Sequence, residues 1–166
     1  MKVFGIAGFK NSGKTTLVVE LIVELKSRGL RVATIKHAHH EFDIDHRGKD
    51  SFLHREAGAD EVIVASARRW AHIAELREAG ELSLSALLAK VGDVDVVLVE
   101  GYKHGTHPKL ELRRSDLDHP RLAEEDSAIL GVVVDGAEQG SSLPVLLRSD
   151  IAAIADFVLA NALKIK

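Results

Sequence analysis

The sequence predicts an α/β fold, a mostly parallel sheet flanked by helices, with an antiparallel excursion at one edge. Three observations carry this prediction. Lys2 to Ala7 is a short apolar run suited to a buried strand, and Leu17, Val18, Leu21, Ile22 and Leu25 share one helical face before Gly29 stops the helix. Between them Gly8 to Thr15 spells Gly-Phe-Lys-Asn-Ser-Gly-Lys-Thr, a complete G-x-x-x-x-G-K-[ST] phosphate-binding loop. Val94 to Val99 (Val-Asp-Val-Val-Leu-Val) is the most apolar strand signal in the chain, as expected of a central strand in a parallel sheet. Strand, loop and helix in this order are the start of a P-loop NTPase domain.

The remaining elements follow in order. Leu30 to Ile35 reads as the second strand and Glu61 to Ala65 as the third, so strands and helices alternate. Leu82 to Val91 is a helix leading into the Val94 to Val99 strand, at whose carboxyl end stand Glu100 and Gly101. Lys109 to Arg113 alternates as Lys-Leu-Glu-Leu-Arg, one buried and one wet face, which suits an edge or antiparallel strand. The polar stretch around residues 102–128 is an excursion from the core sheet, at an edge or a dimerisation surface. Leu130 to Val134 and Val145 to Leu147 supply two more strands, and Ile151 to Leu163 a closing amphipathic helix capped by Asp150 or Ser149.

The chain has 166 residues, the length of one domain with a proper core. Its formal net charge of -3 does not suggest a polybasic surface, which disfavours nucleic acid as a partner. With no cysteine there are no disulfides, thiolate metal sites or cysteine nucleophiles, and a reducing compartment, the cytoplasm, is the expectation. No apolar run approaches membrane-spanning length and the first strand begins within two residues of the start, so neither a membrane helix nor a signal peptide is expected.

A loop of this pattern solvates polyphosphate with dipoles: successive backbone N–H groups and the unsatisfied N–H groups of the following helix converge on the anion. Gly8 and Gly13 let the backbone curl, Lys14 reaches the β and γ phosphates, Thr15 holds Mg²⁺, and Thr16 assists at the α phosphate. Asn11 and Ser12 complete the binding set, although the side-chain roles of Lys10, Asn11 and Ser12 are not individually legible.

Such a site needs an acidic partner at the end of a neighbouring strand, to hold Mg²⁺ and orient the attacking group, and Glu100 is placed for it. A second carboxylate is sought in the segment after strand two, where Asp43 and Asp45 are candidates and Asp45 is preferred as a switch-like metal ligand. His37, His39 and His40, with His46 nearby, raise a transition-metal site, but an extended segment puts only His37 and His39 on one face. Arg47, Lys49 and Arg55 can close over phosphate or face solvent, and Asp50 or Ser51 can serve a site or cap a helix. Guanine offers N1–H and N2–H to a single carboxylate and adenine does not. Asp135, after three valines, stands where such a carboxylate belongs, a turn or cap role being the alternative.

Gly8 to Thr16, the run Thr34-Ile35-Lys36-His37-Ala38-His39-His40, Gly48-Lys49-Asp50-Ser51, Ala57-Gly58-Ala59, Val64-Ala65-Ser66 and Leu98-Val99-Glu100-Gly101-Tyr102-Lys103 resemble the molybdopterin-guanine dinucleotide biosynthesis protein B (MobB) family. The closing helix from Ile151 is similar too. The resemblance implies a GTP-binding P-loop protein with weak intrinsic GTPase activity. It implies an adapter to the guanylyltransferase that joins GMP to molybdopterin, and a homodimer. By the same resemblance Gly13, Lys14, Thr15 and Thr16 bind nucleotide phosphate and Mg²⁺, with Glu100 at the same site. The Lys-Gly-Gly signature of the related partition ATPases is not met, because Phe9 follows Gly8 and the extra lysine is Lys10. Two other functions remain open on the residues: a metallochaperone GTPase using the histidines, and a small-molecule kinase or ligase using Arg47, Lys49 or Arg55.

Overall fold

A computed structural model describes residues 1–38, 42–117, 119–136, 138 and 140–165. In chain order the elements are β1 (Lys2–Ala7), α1 (Lys14–Ser27), β2 (Val32–Lys36), α2 (Asp50–Glu56), β3 (Glu61–Ala65), β4 (Trp70–Ala74) and α3 (Leu84–Leu88). They continue as β5 (Val96–Glu100), β6 (Lys109–Arg113), β7 (Ile129–Val134), β8 (Val145–Leu147), α4 (Ile151–Asn161) and β9 (Leu163–Lys164). The described residues fall into two units, one of Met1–His37 with Leu84–Lys166 and one of Ala38–Ser83.

The larger unit is built on a seven-stranded sheet in the order β2-β5-β1-β6-β7-β8, all parallel, with β9 antiparallel beside the first residues of β1. Side chains alternate across a strand, so each central strand must feed two cores. Phe4, Ile6, Leu98, Leu110 and Val133 point to one face, where Leu17, Leu21 and Leu25 of α1 and Ile154 and Val158 of α4 cover them. Phe157 of α4 meets Phe4 edge to face, with ring centroids 6.3 Å apart. Val3, Val97, Val99 and Ile35 point to the other face and pack with Leu84, Leu87 and Leu88 of α3. Asp150 caps α4, its carboxylate accepting from the Ala153 N–H at 3.0 Å.

Lys109–Arg113 departs from expectation. It is neither an edge nor an antiparallel strand but lies parallel between β1 and β7, and Lys109 and Glu111 are as buried as the leucines between them. The polar excursion supplies the reason. Lys109 Nζ donates to the Lys103 carbonyl at 3.1 Å and to that of Gly105, and pairs with Asp126 at 2.6 Å. Glu111 accepts from the Leu122 and Ala123 N–H groups, both at 3.0 Å. Both charges are thus buried with partners, the condition under which such burial is tolerated. Gly5, opposite Lys109 in β1, makes room for this layer: a Cβ there would come within 2.5 Å of both Lys109 and the His107 ring.

His107 is buried with neither ring nitrogen partnered among the described residues. Burial first, and the Lys109 cation second, push its pKa down from 6.5 to about 4. Its folded pKa lies below its unfolded one, so between these values the unfolded chain holds the extra proton and stability falls as pH falls. Unfolding free energy at pH 5 is therefore expected to be lower than at pH 7.5 by about 2 kcal/mol from this group. Urea titration of the chain and of His107→Leu at both pH values checks this; an equal acid loss in the two proteins would contradict it.

The smaller unit holds a two-stranded antiparallel sheet. Glu61–Ala65 does form a strand, but it pairs with Trp70–Ala74 as a hairpin rather than extending the alternating parallel sheet. Ile63, Val64 and Trp70 on this hairpin are exposed. The helix expected after Gly48 is α2; Lys49 occupies its N-cap position and neither Asp50 nor Ser51 caps it through a side chain.

Candidate functional site

In a parallel sheet every strand ends on the same edge, and ligands collect there. The phosphate loop follows β1, Glu100 ends the adjacent β5, Lys36 ends β2, Asp135 follows β7, and Arg148 follows β8. These residues thus share one rim of the larger unit.

The loop is curled by positive φ angles at Gly8 (147°), Asn11 (65°) and Gly13 (93°). Gly8 admits no side chain, because a Cβ would come 2.6 Å from the Leu112 carbonyl oxygen and 2.8 Å from Ser12 Oγ. Gly13 stands at the N-cap of α1 without a side chain to satisfy the first N–H groups, which remain available to an anion. The Ser12 hydroxyl is buried and has no hydrogen-bond partner among the described residues. Lys14 Nζ donates to the Gly8 and Phe9 carbonyls at 2.8 and 2.6 Å, so its ammonium lies across the loop. Burial lowers the Lys14 pKa, with Glu100 opposing and Lys36 adding to the shift. Thr16 is exposed in the first turn of α1.

Thr15 and Glu100 meet: the hydroxyl donates to Glu100 Oε1 at 3.0 Å. Glu100 is only 8% exposed, and the strand register fixes it between Ile6 of β1 and Lys36 of β2. Its carbonyl accepts from the His37 N–H at 2.9 Å, and the next residue, Gly101, donates to the Ile6 carbonyl at 3.2 Å. Tyr102 then takes a left-handed φ of 47°, held by its ring against His37 at a centroid distance of 4.7 Å. Two hard oxygens 3.0 Å apart match adjacent ligands of a Mg²⁺ octahedron, whose 2.0–2.1 Å bonds separate neighbours by about 2.9 Å. The donor chemistry therefore fits Mg²⁺.

Asp135 stands at the rim of an open cleft of about 460 Å³, together with Glu20, Leu147, Arg148 and Ile151. Its Oδ1 accepts from the Ser115 N–H at 3.0 Å, and that bond is the leading reason its pKa is lowered. Each carboxylate oxygen has two lone pairs, so this bond leaves acceptor capacity for a ligand. Glu20 and Arg148 form an ion pair beside it.

Asp45 belongs to the smaller unit, where Arg55 grips it in a two-pronged ion pair at 2.7 and 3.1 Å and also reaches Glu75 at 2.6 Å. The Arg55 hydrogen bond is the main cause of its lowered pKa. Asp45 and Arg55 are thus committed to each other. His39 and His40 lie outside the described residues; among the described residues no three His, Cys, Asp or Glu side chains are gathered to hold a metal ion. Lys36 also stands at this site, although nothing in the loop motif marks it. The rule that singled out Glu100, a strand end beside the phosphate loop, applies equally to the residue after Ile35.

Comparison with known proteins gives a consistent result. The family model for molybdopterin guanine dinucleotide synthesis protein B (MobB) matches residues 3–135. The chain is 38% identical over 156 residues to the molybdopterin-guanine dinucleotide biosynthesis adapter protein of Escherichia coli K12, covering 92% of this chain and 89% of that one. It is 41% identical over 155 residues to the Haemophilus influenzae protein of the same description, covering 93% and 85%. Among solved structures, a crystal structure of molybdopterin-guanine biosynthesis protein B superposes with a TM-score of 0.73 at 28% identity, covering 95% of this chain and 97% of that one.

Proposed function

This chain belongs to the molybdopterin guanine dinucleotide synthesis protein B family, and on that premise we propose that it works as a GTP-binding switch. Its role is that of an adapter in molybdenum-cofactor biosynthesis. The partner in this reading is the guanylyltransferase that joins GMP to molybdopterin, and bound GTP sets whether the adapter engages it.

The observation that carries the reading is the contact between Thr15 and Glu100 at the mouth of the loop. The backbone N–H groups of Asn11, Ser12 and Gly13 and the start of α1 solvate the triphosphate, and Lys14 leaves the Gly8 and Phe9 carbonyls for phosphate oxygens. Thr16 adds a hydroxyl at the α phosphate. Thr15 and Glu100 would hold Mg²⁺, which when bound would supply positive charge against the triphosphate. Glu100 is also the carboxylate placed to orient an attacking water.

The base lies toward β7 and β8, where Asp135 accepts the guanine N1–H and N2–H. Adenine lacks that donor pair, so ATP would leave the Asp135 carboxylate without these two hydrogen bonds. Asp135→Asn is expected to cut the ratio of GTP to ATP affinity by about tenfold, the worth of one charge-assisted hydrogen bond. Competitive titration with the two nucleotides measures it, and an unchanged ratio would move base recognition to the Arg148–Asp150 turn.

A further inference from the structure

Lys36 contacts both oxygens assigned above to the metal. Its Nζ lies 3.1 Å from Glu100 Oε1 and donates to Thr15 Oγ1 at 3.4 Å, while Thr15 gives its own proton to that same Glu100 oxygen. Ammonium, hydroxyl and carboxylate close a three-membered ring. The placement follows from topology: β2 and β5 are parallel neighbours and Lys36 is in register with Glu100. The two ends of the ring differ in freedom. Glu100 is locked in the sheet, whereas the Lys36 side chain is 59% exposed and hangs from the last residue of its strand.

We propose that Lys36 is an internal counter-cation that exchanges with the divalent metal and then turns to the nucleotide, an inference that rests on the GTP–Mg²⁺ reading of this site. A divalent cation coordinated by Thr15 and Glu100 cannot share those oxygens with an ammonium at hydrogen-bond distance, since the two positive charges would lie within a few ångströms of each other. Metal entry therefore expels Lys36. The expelled ammonium remains tethered at the rim beside Lys14, where the nearest unneutralised negative charge is that of the bound polyphosphate. Lys36 thereby becomes a second phosphate-directed cation supplied by the same chain, and metal and nucleotide binding become coupled: the metal takes the Glu100 and Thr15 oxygens from Lys36, and the polyphosphate draws Lys36 away from those oxygens. It also gives Glu100 a neutralising partner whenever the metal is elsewhere, which explains how a carboxylate that buried is tolerated at the end of an apolar strand.

The test separates this exchange from a simple surface ion pair. Mn²⁺ alone, followed by the electron paramagnetic resonance of the free ion, is titrated into the wild-type chain and into Lys36→Gln and Lys36→Arg. GTP with Mg²⁺ is titrated calorimetrically into the same proteins. Loss of the competing cation is expected to tighten Mn²⁺ binding about fivefold in Lys36→Gln but not in Lys36→Arg. GTP affinity in Mg²⁺ is expected to fall about tenfold in Lys36→Gln and to recover in Lys36→Arg. Mn²⁺ affinity unchanged or weakened in Lys36→Gln would overturn the exchange, and so would undiminished GTP affinity. A wild-type chain that binds no GTP would instead remove the functional reading beneath it, while the Mn²⁺ series still decides whether Lys36 and metal compete.

Discussion

Replacing Lys14 by alanine is expected to lower GTP affinity by about a hundredfold or more while leaving the fold intact. The partners of this ammonium are carbonyls of the loop itself, Gly8 and Phe9. Transferring it to phosphate forms charge-assisted bonds worth about 1.5–3 kcal/mol each, so two of them account for the predicted loss. Neither carbonyl is buried in a core, and both regain water when the lysine is removed. Burial already depresses the Lys14 pKa, and an incoming polyanion reverses that penalty, which adds to its differential attraction for the bound state. Calorimetric titration with unfolding curves on the same samples separates the two halves of the prediction. Retained affinity would place the phosphates elsewhere; lost affinity with lost cooperativity of unfolding would mean that Lys14 holds the loop rather than the ligand.

Lys109→Met is expected to destabilise the chain by about 3 kcal/mol, the scale of breaking a buried ion pair from one side. Lys109 is fully buried, and its ammonium gathers the Lys103 and Gly105 carbonyls and the Asp126 carboxylate. Methionine fills similar volume but leaves those acceptors without a donor. In a chain of this length such a loss lowers the thermal midpoint by roughly 6–12 °C. The residues it ties down directly follow Glu100–Gly101–Tyr102, so the variant is also expected to weaken GTP binding at temperatures where it remains folded. Differential scanning calorimetry reads the first effect, and an unchanged midpoint would mean that the cluster contributes no net stability. Adding Asp126→Leu to Lys109→Met should restore part of the loss, since an apolar pair leaves no uncompensated charge.

The strands legible in the sequence are those written as short uninterrupted apolar runs, whether central in the sheet as β5 and β1 are or at its edge as β8 is. The Val94 to Val99 run forms β5, Lys2 to Ala7 forms β1 and Val145 to Leu147 forms β8, and the helices after the phosphate loop motif and after Asp150 are equally plain. The same logic failed at β6. Alternation of charged and apolar residues signals one wet face only if water covers the charges, and here backbone groups of residues 103–123 and the Asp126 carboxylate take the place of water. Local sequence does not encode which distant segment roofs a strand. β4 was missed for a different reason. Ser-Ala-Arg-Arg at residues 66–69 lacks the glycine or asparagine that announces a hairpin turn, and Ser66 makes the turn instead by bonding its hydroxyl to Arg69.

At the site, the phosphate loop and Glu100 were legible because each has a fixed place relative to a strand end. Lys36 carries no such signal, since a lysine at the end of a strand is usually a solvated charge. Its importance emerges only from the register that sets it beside Glu100. Asp45 lies after strand two, and nothing in that spacing foretells that Arg55, ten residues on, engages both of its oxygens.

The most direct measurement is a calorimetric titration of GTP, and separately of ATP, into the wild-type chain in the presence and absence of Mg²⁺. A GTP-dependent adapter requires one nucleotide per chain, tighter binding of GTP than of ATP, and a gain in affinity with Mg²⁺. Equal affinity for the two nucleotides, or a preference for ATP, would contradict it.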